Sequence, residues 1–159
     1  MLLGTKGGLY RYNQASDIYH YPQFSDFSIS TIKIQEDIIW LGTWDNGLIQ
    51  WDTKTGKYRN YLHQASDSTS LNHNRIRSIA VDKKGMVWIG TPKGLNCYKP
   101  ENNSFEHFQF HTSGGQNLNT NSIITIYPDR DGMLWLGTEG GLVCFRDVEK
   151  EVNLSLIHI

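Results

Sequence analysis

Met86-Val87-Trp88-Ile89-Gly90-Thr91-Pro92-Lys93-Gly94-Leu95 decides the fold, because the chain repeats it. Ile39-Trp40-Leu41-Gly42-Thr43 is followed by Gly47-Leu48, and Leu134-Trp135-Leu136-Gly137-Thr138-Glu139-Gly140-Gly141-Leu142 comes later. A weaker copy opens the chain as Leu2-Leu3-Gly4-Thr5, then Gly8-Leu9, with Leu2 where the others carry Trp. Gly4, Gly42, Gly90 and Gly137 stand 38, 48 and 47 residues apart. A period of this size marks stacked repeats or propeller blades.

Working outward from that stretch gives one complete unit. Residues 76–81 alternate apolar and polar and predict a strand; 82–85 predict a hairpin loop with Gly85 at positive φ. The second strand is 86–91, turned by 92–94, and the third is 95–99. A polar turn at 100–103 leads to a fourth strand at 104–110, anchored by Phe105 and Phe108. Four short antiparallel strands in succession make a propeller blade. The same template fits 30–35, 38–43, 47–52 and 57–62, then 122–127, 133–138, 142–146 and a last strand from about 152. At the start only 2–5, 9–12 and 18–21 are found, so that blade lacks its inner strand. The expected fold is all-β: nearly four blades, at about 1–22, 30–62, 75–110 and 122–153, forming an open arc.

The repeated residues have structural roles. Trp40, Trp88 and Trp135 each offer a large apolar contact and are expected to be mostly buried between blades. Gly42, Gly90 and Gly137 let a neighbouring group come close. Thr43, Thr91 and Thr138 end the strand, and Gly47, Gly94 and Gly141 take positive φ in the turn that follows. Cys97 and Cys144 occupy equivalent positions in successive sheets about 10 Å apart, too far for a disulfide. They read as small apolar fillers.

The formal charge is −1 over 159 residues, and Lys and Arg do not cluster. That argues against a nucleic-acid surface and against direct membrane contact. No apolar run is long enough to span a bilayer. No nucleophile motif or phosphate-binding glycine loop is found, and no cofactor is implied.

Asp129-Arg130-Asp131-Gly132 offers too few oxygens for calcium, which takes six or more, and reads as a hairpin turn. His63, His73, His107 and His111 lack metal-ligand spacing and read as loop histidines. The long connections at 63–74 and 111–121 lead from outer to inner strands, with Leu71 and Leu118 plugging back into the sheets. Strand order puts these connections on one face with the turns after each Gly-Thr. That polar, variable face holds the weak ligand-binding candidates Trp44, Asp45, Asn46, His73, Asn74, Asn119 and Asn121. Trp44 is the aromatic without a core assignment, suited to sugar stacking, although packing on the neighbouring loop is the favoured reading.

Residues 70–98 and 117–145 resemble the two-component regulator propeller repeat: an Asn-rich lead-in, an alternating strand, Asp-x-x-Gly, then Trp-x-Gly-Thr-x-x-Gly-Leu and an aromatic. The resemblance implies seven-bladed propellers in the periplasmic sensor region of hybrid histidine kinases of Bacteroidetes. The parent would be a homodimer, and the remaining blades would be partners of this chain. A small-molecule ligand, an oligosaccharide, would be sensed without catalysis by these blades. A propeller glycosidase or lyase and a plain interaction scaffold remain the alternatives; an inward carboxylate pair, which glycosidases need, is not evident. Residues 154–159 resemble the translation of a sequencing-library adaptor. The native chain is therefore expected to stop near 153, and the start within a blade suggests truncation.

Overall fold

The computed structural model describes residues 1–13, 17–110, 119–146 and 155–157, with side chains described as far as 145. The strands are β1 (Leu2–Thr5), β2 (Gly8–Tyr12), β3 (Ile18–Tyr21), β4 (Ile29–Gln35), β5 (Ile38–Thr43), β6 (Leu48–Asp52), β7 (Tyr58–Tyr61) and β8 (Ser78–Val81). They continue as β9 (Val87–Thr91), β10 (Gly94–Lys99), β11 (Ser104–Phe108), β12 (Ile123–Pro128), β13 (Met133–Thr138), β14 (Gly141–Arg146) and β15 (Ser155–Ile157). One short 3₁₀ turn, Pro22–Phe24, interrupts them. Strands pair in sequence order into one three-stranded sheet, β1–β3, and three four-stranded sheets, β4–β7, β8–β11 and β12–β15. The first sheet does lack an inner strand.

The turns follow the local chemistry. Gly85 and Gly132 close their hairpins at φ 78° and 83°, and Glu36 takes φ 52° where its hairpin has no glycine. Positive φ is rare for a residue with a Cβ. Gly94 has φ 136°, and a Cβ there would stand 2.8 Å from the Phe108 carbonyl oxygen, so no larger residue fits.

Blade-to-blade packing reuses one device. A Cβ at Gly4 would fall 2.5 Å from Ile29 Cγ2; at Gly42, 2.7 Å from Ile76 Cγ2; at Gly90, 2.6 Å from Ile123 Cγ2. Gly4, Gly42 and Gly90 are thus notches, each for an isoleucine of the next blade. The register of these ladders shifts just after Ile29 and just after Ile123. Ile76 goes further: its N–H donates to Thr43 O of the preceding blade at 2.8 Å, so β8 begins at Ser78 and not at 76.

Three apolar clusters fill the three interfaces. Leu9, Phe24, Ile29, Leu41 and Trp51 lie between the first and second sheets. Trp40, Leu48, Leu71, Ile76 and Phe105 lie between the second and third. Trp88, Leu95, Ile123, Leu136 and Phe145 lie between the third and fourth. Leu71 plugs its connection as expected; Leu118 and His111 fall outside the described residues. Cys97 and Cys144 are buried thiols.

All three repeat tryptophans are mostly buried, the one at the end of the arc least completely. Trp40 and Trp88 are 2% and 1% exposed, and Trp135 is partly exposed. Trp40 packs edge-on against Tyr98 of the next sheet and Trp88 against Phe145 of the next. Among the described residues no further blade beyond the fourth sheet supplies such a ring. Gly137 agrees: a Cβ there would meet only Thr125 of its own sheet, with no isoleucine in the notch. Successive sheets touch through β1, β4, β8 and β12, and no contact of similar extent returns from the fourth sheet to the first among the described residues. The arc is open.

The outermost strand of the last sheet also departs from the repeat. Leu48 pairs with Tyr61 and Leu95 with Phe108, each 13 residues on, whereas Leu142 pairs with Ile157, 15 residues on.

Candidate functional site

The face built by the Gly-Thr turns and the outer-to-inner connections is held by side-chain-to-backbone bonds. Thr43 Oγ1 donates to Gly47 O at 2.7 Å and accepts from Asn46 N at 2.9 Å. Thr91 and Thr138 close their turns the same way onto Gly94 O and Gly141 O. Two of the ligand-binding candidates have comparable framework roles. Asn74 Oδ1 accepts from His63 N at 2.6 Å while Asn74 O accepts from Gly47 N at 2.8 Å. Asn121 Oδ1 accepts from Phe110 N at 2.6 Å, and its Nδ2 donates to Phe110 O at 3.0 Å. Both staple the connections between blades. Their polar groups answer buried backbone, which must be paired.

Trp44, Asp45 and His73 do come together, around Arg75, at the mouth of the second interface. The Arg75 guanidinium lies 5.5 Å from the Trp44 ring centroid, its Nε donates to Trp44 O at 3.4 Å, and a terminal nitrogen stands 3.5 Å from Asp45 Oδ1. Trp44 remains 43% exposed. Packing on the neighbouring loop therefore holds for this ring, with one side left to solvent; such a cation–π contact contributes about 0.5–1 kcal/mol at an exposed site. His73 Nδ1 accepts from Arg75 N at 2.9 Å. Burial, then the charges of Lys93 and Arg75, hold the His73 imidazole below its ordinary pKa. It is a neutral acceptor.

Asn119 sits elsewhere, in a second cluster at the third interface. Arg77 donates to Ser122 Oγ at 2.7 Å and to Glu139 Oε1 at 2.9 Å; Asn119 Nδ2 donates to Glu139 Oε2 at 2.9 Å. The Arg77 hydrogen bond keeps the Glu139 carboxyl below the usual range. Arg75, Arg77 and Glu139 were not among the expected site residues. Their signal was Arg75-Ile76-Arg77, two cations at alternate positions where a strand begins.

The hairpin carboxylates on the opposite face are turn elements. Asp129 Oδ1 accepts from Asp131 N and Met133 N, and Oδ2 accepts from Trp135 Nε1 at 2.8 Å. Asp82 does the same for Lys84, Met86 and Trp88. No metal-holding group of His, Cys, Asp and Glu occurs among the described residues. His63 and His107 donate to the carbonyls of Leu71 and Ser70.

Antiparallel four-stranded sheets notched Gly-to-Ile around an arc define a β-propeller built from repeats. Residues 70–93 and 117–140 match the family described as two component regulator propeller. It is 39% identical over 66 residues to a histidine kinase of Formosa agariphila, covering 42% of this chain and 5% of that protein. The extracellular domain of a hybrid two component system of B. thetaiotaomicron superposes over 99% of this chain and 21% of its own, with a TM-score of 0.82 and 26% identity. A second such domain from that organism covers 98% of this chain and 23% of its own, with a TM-score of 0.76 and 20% identity. The chain thus spans a small part of each of these three proteins.

Proposed function

We propose that this chain is part of the sensor propeller of a hybrid two-component histidine kinase. It lies on the extracytoplasmic side, in the periplasm, within a homodimeric parent, and takes part in recognising an oligosaccharide without acting on it chemically. The observation that carries this reading is the pair of family repeats on a fold shared with extracellular domains of hybrid two component systems. A half-exposed Trp44 beside Arg75 and Asp45 supports a sugar-stacking role. The non-catalytic reading is supported by Asp82, Asp129 and Glu139, whose carboxylates already serve turns and an ion pair.

The test is a transcriptional reporter driven by the full-length parent in its host, grown on a panel of defined oligosaccharides. One of them should induce the reporter, and removal of residues 30–110 should abolish induction while the protein remains in the membrane. Induction that survives the deletion contradicts the sensor role. Glycan turnover by the purified chain would contradict the non-catalytic reading.

A further inference from the structure

The groove between the second and third sheets, on the side away from Trp44, is unlike its counterpart one blade on. Gln50, Arg59 and Tyr61 of the second sheet face Tyr98 and Asn103 of the third. Strand register makes Cys97, Glu106 and Phe108 the equivalents of Gln50, Arg59 and Tyr61, and Phe145 the equivalent of Tyr98. There the interface is closed by rings: Phe145 lies 5.2 Å from Phe108 and 5.6 Å from Phe110, centroid to centroid. Between the second and third sheets, hydroxyls and amides replace sulfur and phenyl, and an open groove of about 620 Å³ remains.

The polar groups there are arranged in one sense. Tyr61 Oη donates to Gln50 Oε1 at 2.8 Å, and Tyr98 Oη donates to Asn103 Oδ1 at 2.9 Å. The two hydroxyls are 3.0 Å apart, and Tyr61 Oη is 3.2 Å from Asn103 Oδ1. The amide oxygens accept these bonds, and the amide N–H groups of Gln50 and Asn103 remain as donors to the groove. Lys57 and Arg59, two apart on the edge of the sheet, also line the groove, neither of them in an ion pair among the described residues, and Arg59 lies 6.0 Å from the Tyr61 ring centroid. The one carboxylate present, Asp52, is turned to its own loop: Oδ1 accepts from Lys54 N and Thr55 N, and these bonds hold its pKa down. Asn103 sits at φ 55°, which aims the amide from a tight turn.

We propose that this groove binds an oxyanion, a carboxylate or a sulfate ester on a small ligand, through Arg59, Lys57 and the amides of Gln50 and Asn103. Four donors and two positive charges suit an acceptor-rich anion, and a guanidinium binds carboxylate and sulfate in a bidentate fork. The proposal goes beyond the sensor reading and does not depend on it.

The probes are D-galacturonate, D-galactose 6-sulfate and uncharged D-galactose, added to the isotope-labelled 159-residue chain and followed by amide chemical shifts. At least one anion should shift the amides of 50–61 and 98–104, with D-galactose at least tenfold weaker; the two anions separate the two sources of charge. Arg59→Ala and Asn103→Gly should each weaken binding at least tenfold. Arg59 is exposed, and glycine favours the positive φ of position 103; circular dichroism of each variant checks that the fold is kept. Trp44→Ala should leave binding unchanged. If neither anion binds at millimolar concentration, if galactose binds equally well, or if the Arg59 and Asn103 variants bind like the parent, the proposal is wrong.

Discussion

Trp88→Ala and Trp135→Ala make the same deletion at equivalent sites and should differ in cost. Each indole donates to a hairpin carboxylate, at 2.9 Å for Trp88 to Asp82 and 2.8 Å for Trp135 to Asp129, so that loss cancels in the comparison. What differs is the second blade. Trp88 is 1% exposed, packed between Phe108 of its own sheet and Phe145 of the next, whereas among the described residues no further sheet packs on Trp135. Truncating a fully buried Trp costs about 3–5 kcal/mol. Trp135, partly exposed and with no ring from another blade against it, should cost less, about 1.5–2.5 kcal/mol, because destabilisation follows the apolar area that loses its partners. With a urea m-value of about 2 kcal/mol/M, the midpoints would fall by about 2 M and about 1 M. Urea unfolding followed by circular dichroism, read at equal protein concentration, measures both. Equal costs would mean that the outer face of the fourth sheet is covered, and the reasoning from an open end would fail.

Gly90→Ala forces a Cβ to within 2.6 Å of Ile123 Cγ2 and 2.8 Å of Ser78 Oγ, so a loss of about 1–3 kcal/mol is expected. An unchanged urea midpoint would rule out the notch. Asp129 has its folded pKa lowered, first by the Trp135 hydrogen bond and then by Met133 N. Its contribution is therefore present above the unfolded pKa of about 3.9 and disappears as pH falls through the lower folded value. Asp129→Asn should flatten the pH dependence of stability below about pH 4; a variant with the parent's acid profile would contradict that assignment. Arg75→Ala should uncover Trp44 and increase iodide quenching of its fluorescence in a background where the other tryptophans are replaced by Phe; unchanged quenching would mean that the stacking seen here does not persist in solution.

The blade pattern is legible in the sequence because its turns are local. Asp82 or Asp129, Gly85 or Gly132, and the Thr of Gly-Thr act within a few residues, so their order along the chain shows what they do. What holds blades together is not local. The Gly90–Ile123 notch joins residues 33 apart, and it also moves the start of β8, since Ile76 is drawn to Gly42 and Thr43. The site was less legible for the same reason. Asn74 and Asn121 have the composition of ligand-binding residues, but their partners are His63 N and Phe110 N across a long connection. The Tyr61–Tyr98 pair joins two blades and reads, in each strand alone, as an ordinary aromatic.

The open arc is the central claim, and the oligomeric state of the isolated chain tests it most directly. An uncovered apolar face and the unpaired edge of β1 are association sites. Multi-angle light scattering of the purified 159-residue chain should show a mass that rises with concentration from the monomer to larger species, or material that precipitates. A monodisperse, stable monomer at every concentration would contradict the account.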